Sequence, residues 1–374
     1  SSRVKQLYSD LNLEVDSDRQ LEILTNLINS KISNDSYFFA YDVNNNKADT
    51  TAISERIKFE NDNIVGSISL KGASIDDLTF KNYKVDLNDE KRVTLLGPRN
   101  IDEGYLVESG FVTTDKNIDI PNNKTIWKIE GNSKLTPNDD VTLIWKNNQG
   151  LTFEKIIKID NQYLFTIEQK IKNSSDKIYS FYPYAQIIRT KIPEIIDFFI
   201  LHEGPLGVLD DQLIEKDYKD ILDKKFSKNA NSGFLGITDK YWLTSIIPQK
   251  NKKFRADFEY NEKFKVNYIE TESYESKPNV QISNLVNVVI AAKEVNVIDG
   301  YNESLGLKKF DLVIDWGWFY WIVKPLFFLN DYFFKLAGNY GIAIILITVC
   351  LRLAFFPLNN YAFKSMSRMK LVQP

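Results

Sequence analysis

One charged residue lies inside the most apolar stretch of the chain, and it is the strongest candidate for a chemical role. Residues 340–358, YGIAIILITVCLRLAFFPL, carry Arg352 as their single charge. Thr348 precedes Arg352 by four residues, so a helix would place both side chains on one face, about one turn apart. An ionisable residue deep in a membrane normally faces a polar cavity or a partner. The pattern therefore predicts a polar intramembrane site that includes Arg352 and Thr348.

The length of this stretch matches a bilayer. A helix over residues 340–358 would be about 28 Å long, close to the roughly 30 Å hydrocarbon core. Its Ile, Leu, Val and Phe residues together outweigh the cost of about 2.5–3.5 kcal/mol for a central arginine. We therefore predict a transmembrane helix. Two alternatives stay open, because the stretch could be a buried helix of a large soluble core, and Arg352 could reach along the helix to the cytoplasmic headgroups.

The charges around the stretch predict its orientation. Lys364, Arg368 and Lys370 follow it, and no acidic residue occurs between Arg352 and Pro374. On the amino-terminal side, Asp and Lys residues are mixed. Because cytoplasmic segments carry an excess of Lys and Arg, the carboxyl-terminal end is predicted to be cytoplasmic. The preceding part, up to residue 337, is then outside, which in a bacterium with two membranes means the periplasm.

A second candidate for chemistry is the pair His202-Glu203 in LHEGPLG, which resembles an acid–base pair. It is not an HExxH motif, because His202 is the single histidine of the chain. A structural turn with a hydrogen-bonded histidine is the favoured interpretation. One histidine and one cysteine, Cys350, provide no metal-ligand set, and no P-loop pattern occurs. The sequence therefore predicts no metal, no cofactor and no catalytic residue.

The segment before the apolar stretch predicts a helix at a membrane surface. On a helical wheel its aliphatic residues share one face, and Lys324 and Asp331 lie opposite, toward water. Trp and Tyr rings favour the membrane–water interface, which indicates an amphipathic interfacial helix rather than a core helix of a soluble domain. Pro325 predicts a kink or a helix start. The predicted interface residues are Trp316, Trp318, Trp321, Ile322, Leu326, Leu329 and Phe333.

The middle of the chain, from residue 63 to about 297, has the alternation of β-strands. Two alternating runs within residues 254–268 predict a hairpin. Residues 141–145 and 151–159 flank the turn sequence Asn-Asn-Gln-Gly and predict another. Residues 217–226 predict a short helix. Many short strands at this spacing predict a mainly β fold, organised as one large antiparallel sandwich.

Composition limits the class of protein. The 374 residues are 43% hydrophobic and 26% charged, with a formal net charge of −3. These values fit a globular domain with a small membrane part, and they give no indication of nucleic acid as a specific ligand. A periplasmic domain needs an export signal and none precedes Ser1, so we expect the chain to have lost its amino-terminal part. The predicted segments are a polar linker with local helix (1–60), a β domain (61–308), an interfacial helix (309–337), a transmembrane helix (338–358) and a cytoplasmic helical start (359–374).

Five stretches follow one another in a distinctive order. They are GSISLKGASIDDLTFKNYK (66–84), ILHEGPLGV (200–208), GITDKYWLTSIIP (236–248), FDLVIDWGWFYWIVKPLF (310–327) and GNYGIAIILITVCLRLAFFPLNNYAFKSMSRMKLVQP (338–374). The last two are specific, because the aromatic helix, the arginine-bearing span and the SMSRMK–QP segment occur together. In these stretches the chain resembles the YidC family of bacterial membrane protein insertases.

The resemblance implies a fold and a mechanism. The β domain would be a large periplasmic β-supersandwich, similar to sugar mutarotases and carbohydrate-binding domains. Residues 340–358 would be the second transmembrane helix, and residues 359–374 would begin a cytoplasmic helical hairpin. Arg352 would make an intramembrane groove hydrophilic, and Thr348 would line the same face. Through this groove the protein would help to insert, fold and assemble inner-membrane proteins, alone or with the Sec translocon.

The resemblance also implies partners and limits. Nascent membrane proteins, the lipid bilayer and the Sec translocon would be partners, and the ribosome would bind through parts that this chain lacks. A whole family member has a first transmembrane helix and further helices beyond Pro374, so we do not expect insertase activity from this chain alone. Two other classes stay open: a membrane-tethered periplasmic carbohydrate- or peptide-binding module, and a tethered sugar mutarotase or lyase. Neither explains Arg352 inside a membrane.

Overall fold

Two large β-sheets make up most of the protein. The computed structural model describes residues 55–86, 90–193, 202–317 and 319–370. The strands in this part are β1 (Arg56–Glu60), β2 (Ile64–Ser69), β3 (Ser74–Lys84), β4 (Arg92–Leu96), β5 (Tyr105–Val112), β6 (Lys128–Glu130), β7 (Lys134–Leu135), β8 (Val141–Lys146), β9 (Leu151–Ile159), β10 (Leu164–Asn173), β11 (Tyr179–Arg189), β12 (Gly204–Leu209), β13 (Gln212–Glu215), β14 (Phe226–Ala230), β15 (Gly233–Thr238), β16 (Trp242–Ile247), β17 (Phe254–Asn261), β18 (Lys263–Glu270), β19 (Tyr274–Ser276) and β20 (Gln281–Ala292). The helices are α1 (Tyr218–Asp223), α2 (Val295–Ser304), α3 (Tyr320–Ala337) and α4 (Tyr340–Lys370).

The sheets have eleven and nine strands within the described residues. The eleven-stranded sheet has the order β14-β17-β18-β11-β5-β3-β2-β1-β7, with β19 paired to β11 and β4 paired to β3. The nine-stranded sheet has the order β13-β12-β15-β16-β20-β10-β9-β8-β6. Neighbouring strands are antiparallel except for the short parallel pair β1–β7. The predicted mainly β sandwich is therefore confirmed.

Both predicted hairpins are confirmed. β17 and β18 pair from Phe254↔Glu270 to Asn261↔Lys263, and Glu262 at the tip has a φ of 58°. β8 and β9 pair around the predicted Asn-Asn-Gln-Gly turn, in which Gly150 has a φ of 84°. Such positive φ values suit tight turns and favour glycine. The short helix predicted within residues 217–226 is α1.

The core lies between the two sheets and is rich in aromatic rings. Along β9 and β10 every second side chain is buried, which is the alternation that the sequence shows. Phe59 of the eleven-stranded sheet meets Phe165 of the nine-stranded sheet edge to face, with ring centroids 5.1 Å apart. Phe80 stacks on Trp242 at 4.6 Å. Burial of these rings removes apolar area from water and holds the sheets together.

The boundary predicted at residue 61 is wrong. Strand β1 begins at Arg56, so the last residues of the predicted 1–60 linker belong to the β domain. Ile57 and Phe59 are fully buried and alternate with the polar residues of the segment RIKFE. The run is short and follows a polar segment, which hid the alternation. The local helix predicted earlier in this linker lies outside the described residues.

Helix α2 and the turn after it attach the chain to the nine-stranded sheet. The Tyr301 hydroxyl donates to Asp160 Oδ2 at 2.7 Å and accepts a hydrogen bond from the Tyr163 amide at 2.8 Å. The following 3₁₀ turn, Phe310–Val313, packs Phe310 against Phe234 with centroids 4.8 Å apart. These contacts fix the point from which the chain leaves the β domain.

Lys324 connects α3 to the β domain. Its Nζ donates to Asp299 Oδ1 at 3.0 Å and to Asp311 Oδ2 at 2.8 Å, and the Tyr320 hydroxyl also hydrogen-bonds Asp311. The prediction that Lys324 faces water is therefore wrong, since the side chain is only 17% exposed. Burial alone would raise the pKa of Asp311, but the hydrogen bonds from Lys324 and Tyr320 hold it below its usual value. We call this ion-pair cluster, Lys324 with Asp299 and Asp311, the joint.

A two-residue turn separates α3 from α4. Gly338 has a φ of 68°, and its amide donates to the Phe334 carbonyl at 2.7 Å, which ends α3. Asn339 Oδ1 then accepts hydrogen bonds from the amides of Gly341 at 2.8 Å and Ile342 at 3.3 Å, which begins α4. The rings of Phe334 and Tyr340 stack at 3.9 Å across the turn. The change of direction between the two helices is therefore fixed by local geometry.

The first prediction concerns the core. Ile171 of β10 is fully buried, whereas Ile178 is 60% exposed. Ile171→Ala leaves a cavity, so we expect the free energy of unfolding to fall by about 2–5 kcal/mol. Ile178→Ala is the matched control, with an expected change within about 0.5 kcal/mol. Urea unfolding followed by near-UV circular dichroism measures both, and equal effects would contradict the assigned core.

The second prediction concerns the joint. Lys324→Met removes charged hydrogen bonds worth about 1.5–3 kcal/mol each, so α3 should move relative to the β domain. The measurement is the distance distribution between spin labels at residues 241 and 336, both exposed, with Cys350 replaced by Ala. We expect a narrow distribution in the wild type and a broad one in Lys324→Met.

The control and a pH test sharpen this prediction. Lys335 pairs with Asp331 on α3 itself at 2.7 Å, so Lys335→Met should leave the distribution narrow. Because the folded-state pKa of Asp311 is lowered, its contribution is present near neutral pH and is lost as the pH falls through this lowered pKa. A distribution that stays narrow in Lys324→Met would show that other contacts hold α3.

Candidate functional site

Helix α4 is long and apolar enough to cross a membrane. The apolar part lies within Tyr340–Met369, and only 6% of its most apolar stretch of 18 residues is buried inside the protein. A core helix of a soluble domain would be mostly buried, so the exposure favours the membrane interpretation. The helix continues without a break through residue 358, where the transmembrane segment was predicted to end, and Pro357 lies inside it. At about 46 Å, α4 exceeds a bilayer core and extends beyond it.

The predicted polar site lies on an exposed part of α4. Arg352 is about 18 Å along the helix from Tyr340, which is near the middle of a bilayer core. Arg352 and Thr348 are both exposed, one turn apart on the same side. The Thr348 hydroxyl donates to the Ile344 carbonyl at 2.7 Å, so its proton is used within the helix. Among the described residues no carboxylate forms an ion pair with Arg352.

The predicted interface residues of α3 divide into two groups. Trp321 and Ile322 are 71% and 38% exposed, as an interfacial position requires. Leu326, Leu329 and Phe333 are only half-buried, so the stripe predicted from the wheel is partly covered by the protein itself. The large side chains that are most exposed along α3 are Trp321, Phe328, Tyr332 and Leu336. The wheel alone could not show that α4 packs beside α3.

One of the two remaining tryptophans differs from the prediction. Trp316 is half-buried in the joint, where its Nε1 donates to the Asp311 carbonyl at 3.2 Å. Its ring lies 5.7 Å from Lys324 Nζ and 5.7 Å from the Phe327 ring. Trp316 therefore packs between helix and domain instead of lying free at the interface. Trp318 lies outside the described residues.

His202 has the surroundings of a structural residue. Its Nε2 lies 3.2 Å from the Pro205 carbonyl, and its backbone amide donates to Asp315 Oδ2 at 3.4 Å. Burial, and then the charge of Asp239, raise the pKa of the neighbouring Glu203. Within the described ranges, no group of three or more His, Cys, Asp or Glu side chains is arranged to hold a metal ion.

One buried charge cluster was not predicted from the sequence. Arg189 at the end of β11 donates to Asp239 Oδ1 at 2.6 Å and to the Tyr218 hydroxyl at 3.2 Å, and it lies 4.5 Å from the Tyr105 ring. Asp239 follows β15 in the other sheet, so this pair connects the sheets. Burial lowers the pKa of the nearby Lys293 to about 8, although Asp239 and other carboxylates oppose the shift. The only sequence signal was the TDKYW segment, which indicated neither partner.

Comparison with known proteins identifies relatives along nearly the whole described chain. Residues 56–329 match the family model of the YidC periplasmic domain, and residues 332–374 match that of the 60Kd inner membrane protein. A membrane protein insertase YidC from Pelagibacter ubique is 57% identical over 350 residues, covering 92% of this chain and 63% of the relative. The protein of the same name from Brucella suis is 40% identical over 332 residues, covering 86% of this chain and 54% of the relative.

A solved structure gives a weaker likeness. A galactose mutarotase related enzyme from Lactobacillus acidophilus superposes with a TM-score of 0.48 and 12% identity, covering 64% of this chain and 98% of that chain.

The order of the elements agrees with these matches. A β sandwich, an amphipathic helix and an arginine-bearing apolar helix follow one another within one chain, and the two family models cover them in the same order. The chain spans about three fifths of the length of the relatives that it matches. The chain belongs to the YidC family of membrane protein insertases.

Proposed function

We propose that the chain provides the periplasmic domain, the interfacial helix and one groove-lining transmembrane helix of a membrane protein insertase. The observation that carries the proposal is Arg352, a charge without a partner among the described residues, on an exposed apolar helix. Relatives that bear the name insertase support it. A tethered periplasmic binding module is not favoured, because it gives no role to a charge inside the membrane.

The proposed mechanism requires no covalent chemistry and no nucleotide. A polar tail or loop of a nascent membrane protein must cross a layer of low dielectric constant. A hydrated groove that contains one positive charge shortens this layer and attracts acidic residues of the substrate. The apolar segment of the substrate then leaves sideways into lipid, driven by its own hydrophobicity.

Thr348 would contribute to the same groove. Its hydroxyl proton is donated to the Ile344 carbonyl, so the oxygen keeps both lone pairs available as acceptors, one turn from Arg352. A water molecule or a substrate donor would bind there. The two residues together would make one face of an otherwise apolar helix hydrophilic, and neither would act as a catalyst.

The topology of the proposal follows from charge. Lys364 and Arg368 lie at the carboxyl-terminal end of α4, which supports a cytoplasmic position for this end and a periplasmic position for residues 1–337. The joint would then hold the β domain above the periplasmic membrane surface. Nascent membrane proteins and the bilayer are the partners that this arrangement requires. The Sec translocon and the ribosome are further partners that the family relationship suggests.

The third prediction tests the groove charge. In the protein's full reading frame, Arg352→Ala should preserve expression and membrane integration but reduce insertion of substrates that have acidic translocated tails. We expect a loss on the order of tenfold, because a charge pair at about 4 Å in a medium of intermediate dielectric is worth a few kcal/mol before solvation costs. The assay is insertion of a single-span substrate with and without acidic tail residues.

Two variants control this test. Arg352→Lys keeps the charge and should retain most activity, since no bidentate geometry is required. Arg368→Ala removes an arginine at the carboxyl-terminal end of α4, and insertion should remain close to wild type. If Arg352→Ala inserts acidic and neutral tails as well as the wild type does, the groove role is wrong and Arg352 instead reaches the headgroups.

The fourth prediction tests whether α3 lies in the membrane interface. Leu336 is 71% exposed, and the neighbouring Lys335 side chain is 67% exposed, so the protein covers them equally little. Spin labels at the two positions, with Cys350 replaced by Ala, should differ because position 336 faces lipid. We expect higher oxygen accessibility at 336 and higher accessibility to a nickel complex at 335. Equal values would place α3 in water.

A further inference from the structure

A polar pair interrupts the apolar interior of the sandwich. Lys155 of β9 and Gln169 of β10 are direct cross-strand partners, and they are 3% and 1% exposed. The inward neighbours along β9 are Phe153 and Ile157, as an ordinary core requires. A small cleft with a cavity volume of about 20 Å³ opens from the surface onto this pair, and Trp127 and Ser109 also line it.

Several buried polar atoms in this cleft have no partner among the described residues. They are Nε2 and Oε1 of Gln169, Nε1 of Trp127 and Oγ of Ser109. Buried polar groups are almost always hydrogen-bonded, because an unmade bond leaves the full cost of desolvation. Three of these groups can donate a hydrogen bond. Their concentration at one cleft indicates a site built to surround an acceptor.

The buried positive charge of Lys155 also favours a hydrogen-bond acceptor in the cleft. Lys155 Nζ donates to the Ser109 carbonyl at 2.6 Å and lies 5.1 Å from the centre of the Trp127 ring. No carboxylate forms an ion pair with it in the part of the chain that the structure describes. Glu108 lines the cleft, but Arg99 and Gln186 already bind its two oxygens.

The rim of the cleft adds one charge of each sign. Glu154 and Lys170 lie there, on the outward-facing positions of β9 and β10. Lys170 is engaged by Glu168 at 3.2 Å. Lys155 therefore determines that the interior of the cleft favours an anion. Burial lowers the pKa of Lys155 to about 8, and the charge of Glu108 opposes this shift. An anion beside Lys155 would offset the desolvation cost of its buried ammonium group.

We propose that the cleft is a binding site for a terminal carboxylate. The two carboxylate oxygens would accept hydrogen bonds from Lys155 Nζ, Gln169 Nε2 and Trp127 Nε1, while Gln169 Oε1 would accept one from a donor on the ligand or from a water molecule. Two sources share this chemistry, a free small carboxylate and the carboxyl terminus of a periplasmic peptide. The site belongs to the β domain and is independent of the intramembrane groove.

The test uses the purified chain in detergent at pH 7. Sodium acetate, acetamide, and a tripeptide with either a free or an amidated carboxyl terminus are titrated by calorimetry, and the midpoint of thermal unfolding is followed in parallel. We expect acetate or the free tripeptide to bind and raise the midpoint, and acetamide and the amidated tripeptide to have no effect. Binding of acetate identifies a free carboxylate as the source, and binding of the tripeptide alone identifies a peptide terminus.

Lys155→Met is the decisive variant, because it removes the charge and keeps the length of the side chain. It should weaken carboxylate binding by at least about tenfold, the effect of a lost charged hydrogen bond. It should also raise the unfolding midpoint without ligand, since a buried cation without a counter-ion is removed. Lys158→Met is the matched control on the outer face of the same strand, where the side chain is 63% exposed, and it should change neither value.

A pH series tests the proposal without any substitution. Between pH 7 and 10 the probe carboxylates stay ionised while Lys155 loses its proton, so the affinity of the wild type should fall by about tenfold or more. Three results would overturn the proposal: no carboxylate binding up to 100 mM, equal binding by Lys155→Met, or equal affinity for acetate and acetamide. The first would indicate a cleft that holds water only, and the other two would show that the charge of Lys155 does not select the ligand. Insertion is not measured, so neither success nor failure here bears on the insertase proposal.

Discussion

Helix α4 has an apolar surface that the protein does not bury, and the arrangement of the other elements depends on this. Ile345, Leu353 and Phe356 are 64%, 68% and 64% exposed. In water, this exposed apolar area would be unfavourable in free energy. A contiguous apolar surface of this kind needs lipid or another protein. The β sandwich buries its apolar residues in its own core, whereas the apolar surface of α4 needs lipid or another protein to cover it. The chain must therefore connect two bodies that are stable in different media.

Two local structures make that connection: the joint and the turn between α3 and α4. The joint binds Lys324 to Asp299 and Asp311, so α3 is held to the β domain by charged hydrogen bonds and not by a large apolar contact. The turn at Gly338 and Asn339 then fixes the angle between α3 and α4 by capping both helices within two residues. Charged groups suit the first position because the carboxylates of Asp299 and Asp311 compensate the charge of the largely buried Lys324. Local backbone geometry suits the second, because backbone groups near lipid must be satisfied within the chain.

The sequence predicted the features that depend on local periodicity. The hairpins of β8–β9 and β17–β18, helix α1 and the apolar span follow from alternation, turn residues and length. What it could not predict was which surface covers another. The helical wheel predicted that Lys324 faces water, and only the fold shows that Asp299 and Asp311 cover it. Similarly, strand β1 was missed because five residues of alternation are too few to distinguish from a polar linker.

Long-range pairing explains the rest of the missed site residues. Arg189 and Asp239 are far apart in sequence and meet only because their strands belong to facing sheets. Lys155 and Gln169 become neighbours through the register of β9 with β10, and a shift of one residue would turn one of them to the outer face. Composition shows that such residues exist, but not that they are buried. Their burial is a property of the register, which no local pattern specifies fully.

The same physics applies to three of the cations, Arg189, Lys155 and Arg352. Arg189 is buried and has Asp239 at 2.6 Å, so its charge is compensated within the fold. Lys155 and Arg352 have no carboxylate partner in the part of the chain that the structure describes, one inside the sandwich and the other on the surface of an apolar helix. An uncompensated charge in such a place is costly, and a fold retains it where something from outside completes it. For Arg352 we propose that this component is a hydrated groove and its passing substrate. For Lys155 we propose a carboxylate in the cleft, and both proposals rest on the same electrostatic argument.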